Sequence, residues 1–166
     1  ELSLKAVMPT VNIPYYYCEP KEDGGVSSFC LLDNGHITLH TFPFYGNCYI
    51  DIMFEDIVKD NVKPLISKLF KPEKIDMWLF DRDNEKCSAD YDSENGFGPH
   101  LLVCATPEKE YRMIDIYDAL QTLPESIGMH AITRPTVVTN RAHNYSTISG
   151  IIIIAESHIS FHRNIH

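Results

Sequence analysis

Two histidines and two serines stand close together near the end of the chain, where they could carry out proton transfer and nucleophilic attack. His158, Ser160 and His162 occupy every second position, and side chains that repeat with this period share one face of a β-strand. Directly before them stand Glu156 and Ser157. A serine hydroxyl can attack the carbonyl of the preceding residue and turn that amide into an ester. The attack needs a proton acceptor and donors to the developing oxyanion, and imidazoles and hydroxyls can supply both.

A run of four isoleucines, residues 151–154, precedes this segment and must position it. A short, β-branched, wholly apolar run is typical of a central strand buried on both faces. We therefore expect a rigid strand that ends close to Ser157 and presents a hydroxyl and imidazoles beside one peptide bond.

Residues 155–162, together with Ser149 and the isoleucine run, resemble the self-processing segment of the pyruvoyl-dependent S-adenosylmethionine decarboxylases. The resemblance implies that the chain cuts itself between Glu156 and Ser157, and that Ser157 becomes a pyruvoyl cofactor. It also implies that Ser149 and His162 assist processing and that His162 serves in the active site. In that family the ketone forms a Schiff base with the substrate amine and accepts the electrons released with carbon dioxide.

The same resemblance implies the fold and the partners of the protein. It predicts an α+β fold of antiparallel sheets with helices on their outer faces, an αββα sandwich. The substrate would be S-adenosylmethionine, consumed for spermidine and other polyamines. A second copy of the fold, within a homo-oligomer or the same chain, would be the partner. His158, His40 and Glu55 would line the substrate pocket.

An internal repeat divides the sequence. Residues 27–40 match residues 149–162 in pattern, as a diverged duplication would. The matched positions are Ser27 with Ser149, His36 with His158, Thr38 with Ser160, and His40 with His162. Gly35 stands where the second copy has Ser157, so the first copy lacks the hydroxyl that a pyruvoyl group requires.

The repeat predicts the domain organisation. Residues 1–80 form a first copy that lacks the family's opening strand and helix, and residues 99–166 form a second copy that lacks the closing strand–helix–strand. Residues 81–98 are polar and acidic and are predicted to be a linker.

One departure from the family pattern leaves other functions open. Glu55 occupies the position at which the family has its proton-donating cysteine. A reshaped pocket would fit a sibling decarboxylase of ornithine or arginine, whereas loss of the acid would fit a non-catalytic regulatory or ligand-binding homologue.

Local patterns predict further elements. Apolar spacing predicts a helix over residues 61–71, with Asn61 as N-cap and Pro64 in the first turn. A second helix is expected to start at Thr106 and to end before Pro124. The predicted strands are residues 49–54, 74–80, 100–104 and 136–139.

Composition restricts the class of protein. The net charge of −9 over 166 residues, without any basic run, argues against nucleic-acid and membrane partners. Five cysteines without a Cys-x-x-Cys pair favour a reducing cytoplasm over a disulfide framework. Each His-x3-His pair lies in a strand-like pattern, so the sequence predicts no metal site.

Overall fold

The chain folds as two compact units, residues 1–58 with 111–166, and residues 59–110. The computed structural model describes residues 15–18, 24–32, 35–53, 59–79, 100–106, 108–141, 146–155 and 157–165. Both β-sheets belong to the first unit.

The first sheet comes from the first sequence copy. Its four antiparallel strands follow chain order: β1 (Tyr15–Cys18), β2 (Val26–Leu32), β3 (Gly35–Phe42) and β4 (Asn47–Met53). A short 3-10 helix, Pro43–Tyr45, connects β3 to β4. The predicted strand over 49–54 is confirmed through Met53, and its last residue lies outside the described part.

The second sheet comes from the second copy and contains the isoleucine run. Its strands β5 (Thr136–Arg141), β6 (Ser146–Ile154) and β7 (Ser157–Ile165) are antiparallel, with β6 in the middle. Ile151, Ile152 and Ile153 are completely buried. The predicted central strand, covered on both faces, is therefore confirmed, as is the predicted strand that starts at Thr136.

The two sheets pack face to face. Alternate residues of β6 point to the first sheet, where Ile151 and Ile153 join Phe29 and Leu31 of β2 in one apolar cluster. Burial of such side chains contributes about 1.5–3 kcal/mol each. This contact fixes the spacing between the sheets and therefore the positions of the polar side chains that lie between them.

Helix α2 (Met113–Ser126) covers the outer face of the second sheet. Ile116 and Leu120 pack against Ile148 and Ile152, the β6 residues that point away from the first sheet. Antiparallel sheets with a helix on an outer face confirm the predicted α+β class.

The start and end predicted for α2 are wrong. The helix begins at Met113 rather than beside Thr106, because the Asp115 carboxylate accepts hydrogen bonds from the backbone N–H and the guanidinium of Arg112 and so caps the first turn. It also continues through Pro124 to Ser126. Pro124 lies in the last turn and is buried, so packing there offsets the lost backbone donor.

The second unit contains helix α1 (Lys59–Phe70). The predicted helix is confirmed, but it begins at Lys59, so Asn61 is not its N-cap and Pro64 lies beyond the first turn. The strands predicted over 74–80 and 100–104 are wrong: residues 74–79 and 100–104 have no regular secondary structure. Their apolar pattern alone is insufficient, since a strand also needs a bonded neighbour, and neither segment pairs with a strand in the part of the chain that the structure describes.

The predicted linker, 81–98, lies outside the described residues, and the boundaries of the two copies remain a prediction. Among the helices that the structure describes, neither has both the length and the apolar character required to cross a bilayer.

Candidate active site between the two sheets

Four histidines meet between the sheets. Strand β3 contributes His36 and His40, and strand β7 contributes His158 and His162. His36 Nδ1 lies 2.7 Å from His162 Nε2, and His40 Nε2 lies 3.2 Å from His158 Nδ1. In each pair the two rings are nearly parallel, with interplanar angles of 14° and 7°. The first histidine of each copy thus contacts the second histidine of the other.

A serine holds the far side of one ring in each pair. Ser27 Oγ is 2.9 Å from His40 Nδ1, and Ser149 Oγ is 3.0 Å from His162 Nδ1. Each serine stands directly opposite its histidine on the neighbouring strand, where side chains lie on the same face and close together. The sequence repeat is therefore reproduced as two equivalent hydroxyl–imidazole pairs, in which Ser27, His40 and Ser149 are buried and His162 is partly buried.

Asp51 of β4 joins the two pairs. Its Oδ2 lies 2.9 Å from His36 Nε2 and 3.4 Å from His158 Nε2. Burial raises the pKa of the Asp51 carboxyl, but hydrogen bonds from His158 and His36 and the charges of these rings outweigh it and hold that pKa well below its usual range. A carboxylate thus stands between the two copies and accepts from both.

His40 is held in its neutral form. Burial, and after it repulsion from His158, lowers the pKa of its imidazole, and Asp51 raises it; the result is a pKa of about 4. A neutral ring has one nitrogen that donates and one that accepts. His40 can therefore donate a hydrogen bond to one of its two neighbours, Ser27 and His158, and accept one from the other.

Comparison with known proteins assigns the family. A family model described as S-adenosylmethionine decarboxylase matches residues 1–83, half of the chain. The chain belongs to the S-adenosylmethionine decarboxylase family. An S-adenosylmethionine decarboxylase proenzyme from Methanococcus maripaludis (strain C7) is 36% identical over 55 residues, which make up 32% of this chain and 45% of that relative. The match therefore spans less than half of the relative's length. No solved structure matches the chain significantly.

The family resemblance implies that Ser157 is the residue that becomes the pyruvoyl group. The structure places Ser157 at the start of β7. Ser157 pairs with Ile154, so the two residues 155–156 connect β6 to β7, the shortest common hairpin connection. Glu156 itself lies outside the described residues, as does Glu55. The bond expected to be cut thus precedes the first residue of β7, which pairs with the buried end of β6.

The family resemblance and the geometry associate Ser157 with different partners. Ser149 and His162 bond to each other, but each lies five residues along its strand from the paired Ile154 and Ser157. At about 3.3 Å per residue this is about 16 Å. His158, in contrast, adjoins Ser157 and contacts His40. By strand alternation the Ser157 side chain shares the helix-side face with Ile159 and Phe161, opposite the histidines.

Sequence patterns alone did not indicate two members of this site. The repeat matches Ser27 with Ser149 but does not indicate that Ser27 lies in the series of contacts leading to the residue next to Ser157. For Asp51 the sequence predicts only a position in a strand. Its signal is a single carboxylate between Ile50 and Ile52 in an otherwise apolar run, which is unusual for a half-buried strand.

Proposed function

We propose that this protein is a pyruvoyl-dependent decarboxylase of S-adenosylmethionine that becomes active by cleaving its own Glu156–Ser157 bond. Membership of the family and the position of Ser157 at the start of β7 support this. The single observation that carries the proposal is the hydrogen-bonded series Ser27–His40–His158, which ends at the residue next to Ser157.

The hairpin prepares the bond for attack. Ser157 is fixed on one side by its pairing with Ile154, and the isoleucines of β6 leave that strand little freedom to move. Holding the reacting residue in one conformation favours attack over the many unreactive arrangements of a mobile chain.

The first step is a rearrangement of the backbone. The Ser157 hydroxyl loses its proton as its oxygen bonds to the Glu156 carbonyl carbon, and the amide nitrogen leaves with a proton. The product is an ester between Glu156 and the Ser157 side chain. The His158 ring lies on the opposite face of β7 from the Ser157 side chain, so we assign it no direct proton transfer; within this step His158 positions the start of β7, which carries the reacting hydroxyl. Ser27 and His40 are positioning residues in turn, because they hold the His158 ring in place.

The ester then breaks without an external oxidant. Removal of the proton on the Ser157 α-carbon expels Glu156 as a carboxylate, so Glu156 becomes the new chain end. Addition of water and loss of ammonia leave a ketone at residue 157. When formed, this pyruvoyl group supplies an electron-withdrawing carbonyl that stabilises the carbanion left by loss of carbon dioxide.

In this proposal Ser149 and His162 assist cleavage less directly than the family resemblance implies. Their pair bonds to His36, which in turn bonds to Asp51. We propose that they orient the carboxylate that His36 and His158 share. The place of Glu55 in the substrate pocket remains a prediction. So do the cytoplasmic location, the role in polyamine synthesis and the association with a second copy of the fold.

Release of labelled carbon dioxide tests the reaction and its substrate. Purified protein is incubated separately with carboxyl-labelled S-adenosylmethionine, ornithine and arginine, with and without amine plus borohydride to trap the ketone. We expect release from S-adenosylmethionine that trapping abolishes. Release from ornithine or arginine alone would identify the sibling enzyme. Protein that releases none, with no trapped adduct at residue 157, would overturn the proposal in favour of a non-catalytic homologue.

A further inference from the structure

We propose that His36, Asp51 and His158 form a binding site for a divalent transition-metal ion, with Zn²⁺ as the first candidate. The three residues come from three strands, β3, β4 and β7, and so from both sheets. The proposal does not depend on decarboxylation or on self-cleavage.

The ligand atoms already converge. His36 Nε2, Asp51 Oδ2 and His158 Nε2 lie within 4.8 Å of one another, and the two contacts of Asp51 measure 2.9 and 3.4 Å. Zinc bonds of about 2.0–2.2 Å hold tetrahedral ligands roughly 3.3–3.6 Å apart. The contact of Asp51 with His158 fits that spacing, and its contact with His36 has to open by about half an ångström.

Both imidazoles have the outer partners that metal-bound histidines normally have. A ring that binds metal through Nε2 carries its hydrogen on Nδ1 and donates it to a second residue. Here His36 Nδ1 faces His162 Nε2, and His158 Nδ1 faces His40 Nε2. With a metal bound at both Nε2 atoms, His162 and His40 would accept these hydrogens at their own Nε2 and could donate from Nδ1 to Ser149 and Ser27, whose oxygens lie 3.0 and 2.9 Å away.

A buried hydroxyl beside the three ligands provides an independent observation. Thr38 is completely buried, and its Oγ1 has no hydrogen-bond partner among the residues that the structure describes. It stands directly opposite Asp51, on the neighbouring strand, so both side chains lie on one face. A buried hydroxyl without a partner costs about 1–3 kcal/mol. A metal-bound water would satisfy it, since three protein ligands leave a tetrahedral ion one open position.

The ligand types select the class of ion. Imidazole nitrogens favour Zn²⁺, Fe²⁺, Co²⁺, Ni²⁺ and Cu²⁺, whereas Mg²⁺ and Ca²⁺ prefer oxygen ligands throughout. The sequence prediction of no metal site considers each His-x3-His pair by itself. The fold instead combines one histidine from each pair with a carboxylate from a third strand, which spacing along the chain cannot reveal.

Cobalt spectroscopy and zinc calorimetry test the site in the full-length Ser157→Ala protein, which keeps the chain uncut. After treatment with chelator, we expect one equivalent of Zn²⁺ to bind. Co²⁺ should give visible bands without thiolate-to-metal charge transfer, because the site contains no cysteine. Asp51→Asn, which preserves shape, should weaken Zn²⁺ binding at least tenfold. His40→Gln, which removes an outer partner, should weaken it about 10–100-fold.

His130→Gln is the matched control, since His130 is an exposed histidine outside the cluster. The affinity of this variant for Zn²⁺ should equal that of the parent protein. Circular dichroism establishes that each variant is folded. Three results would each overturn the proposal: no stoichiometric Zn²⁺ binding, unchanged binding in folded Asp51→Asn protein, or a cobalt spectrum with thiolate bands. The last would place the ion on a cysteine, and the first would leave Asp51 as a hydrogen-bond acceptor only.

Discussion

At the scale of single residues, the site consists of hydroxyls and imidazoles arranged around one carboxylate. The same residue pair occurs twice, as Ser27 with His40 and as Ser149 with His162, at nearly equal distances. The pairs differ in what they reach: one leads to His158 beside Ser157, and the other leads to His36. Position, rather than residue type, therefore distinguishes their roles.

Removal of each serine hydroxyl separates these roles. Ser27→Ala should slow cleavage at Ser157 at least about 100-fold, the scale of a misplacement of about 1 Å, because it releases His40 and thus His158, which positions the start of β7. Ser149→Ala should slow it less than about tenfold, since it is about 16 Å from the bond. Quenched time points analysed by mass spectrometry give both rates.

These two variants control for each other. Each removes one buried hydroxyl that bonds to an imidazole, so their losses of stability should be similar, about 1 kcal/mol. The assignment of Ser27 fails if Ser149→Ala stops cleavage and Ser27→Ala leaves the rate of the parent protein.

Sequence reasoning could identify the reacting residues but not their neighbours. Alternation in 157–165 predicted the shared face of His158 and His162, because strand periodicity is local. The contacts of His40 with His158 and of Asp51 with His36 join different strands. They depend on how two sheets pack, which no local pattern encodes, so Asp51 remained unrecognised.

At the scale of elements, strand β6 organises the unit because both of its faces are covered. One face packs on the first sheet and the other on α2. The helix lies close to the strand at Gly150, where an added Cβ would lie 2.8 Å from Leu120 Cδ1 and 3.2 Å from Ile116 Cγ2. The absence of a side chain at this position therefore sets the distance between helix and strand.

A methyl group at Gly150 tests this packing. Gly150→Ala should lower the free energy of unfolding by about 1–3 kcal/mol, the usual cost of overpacking. In a Leu120→Ala background the added methyl has room, so its extra cost should largely disappear. Urea unfolding of the four proteins of this cycle measures the coupling. Simple addition of the two effects would show that the helix does not rest on Gly150.

Patterns along the chain predicted elements well where burial agreed with propensity. The strands predicted for the isoleucine run and from Thr136 are correct, because both segments are β-branched and each pairs with a neighbouring strand. Residues 74–79 are also rich in apolar side chains, yet Trp78 and Leu79 are largely exposed and form no strand. Strand formation there would require a neighbour, which propensity does not supply.

At the scale of the whole molecule, the site lies where the two copies predicted from the sequence repeat meet. Each copy contributes a sheet, a serine and two histidines, and the sheets pack so that the histidines of one meet those of the other. The repeat in the sequence predicted two copies of one fold. Only the packed structure shows that the first copy, although it has Gly35 in place of the reacting serine, supplies the partner of His158.

The intact mass of the purified protein tests the central claim most directly. The wild-type chain should separate with time into two fragments that meet between Glu156 and Ser157, the second starting with a ketone in place of the serine amine. Folded Ser157→Ala protein should keep its full mass under the same conditions. A wild-type chain that remains whole, or a Ser157→Ala chain that is cut at the same bond, would contradict self-processing by this hydroxyl.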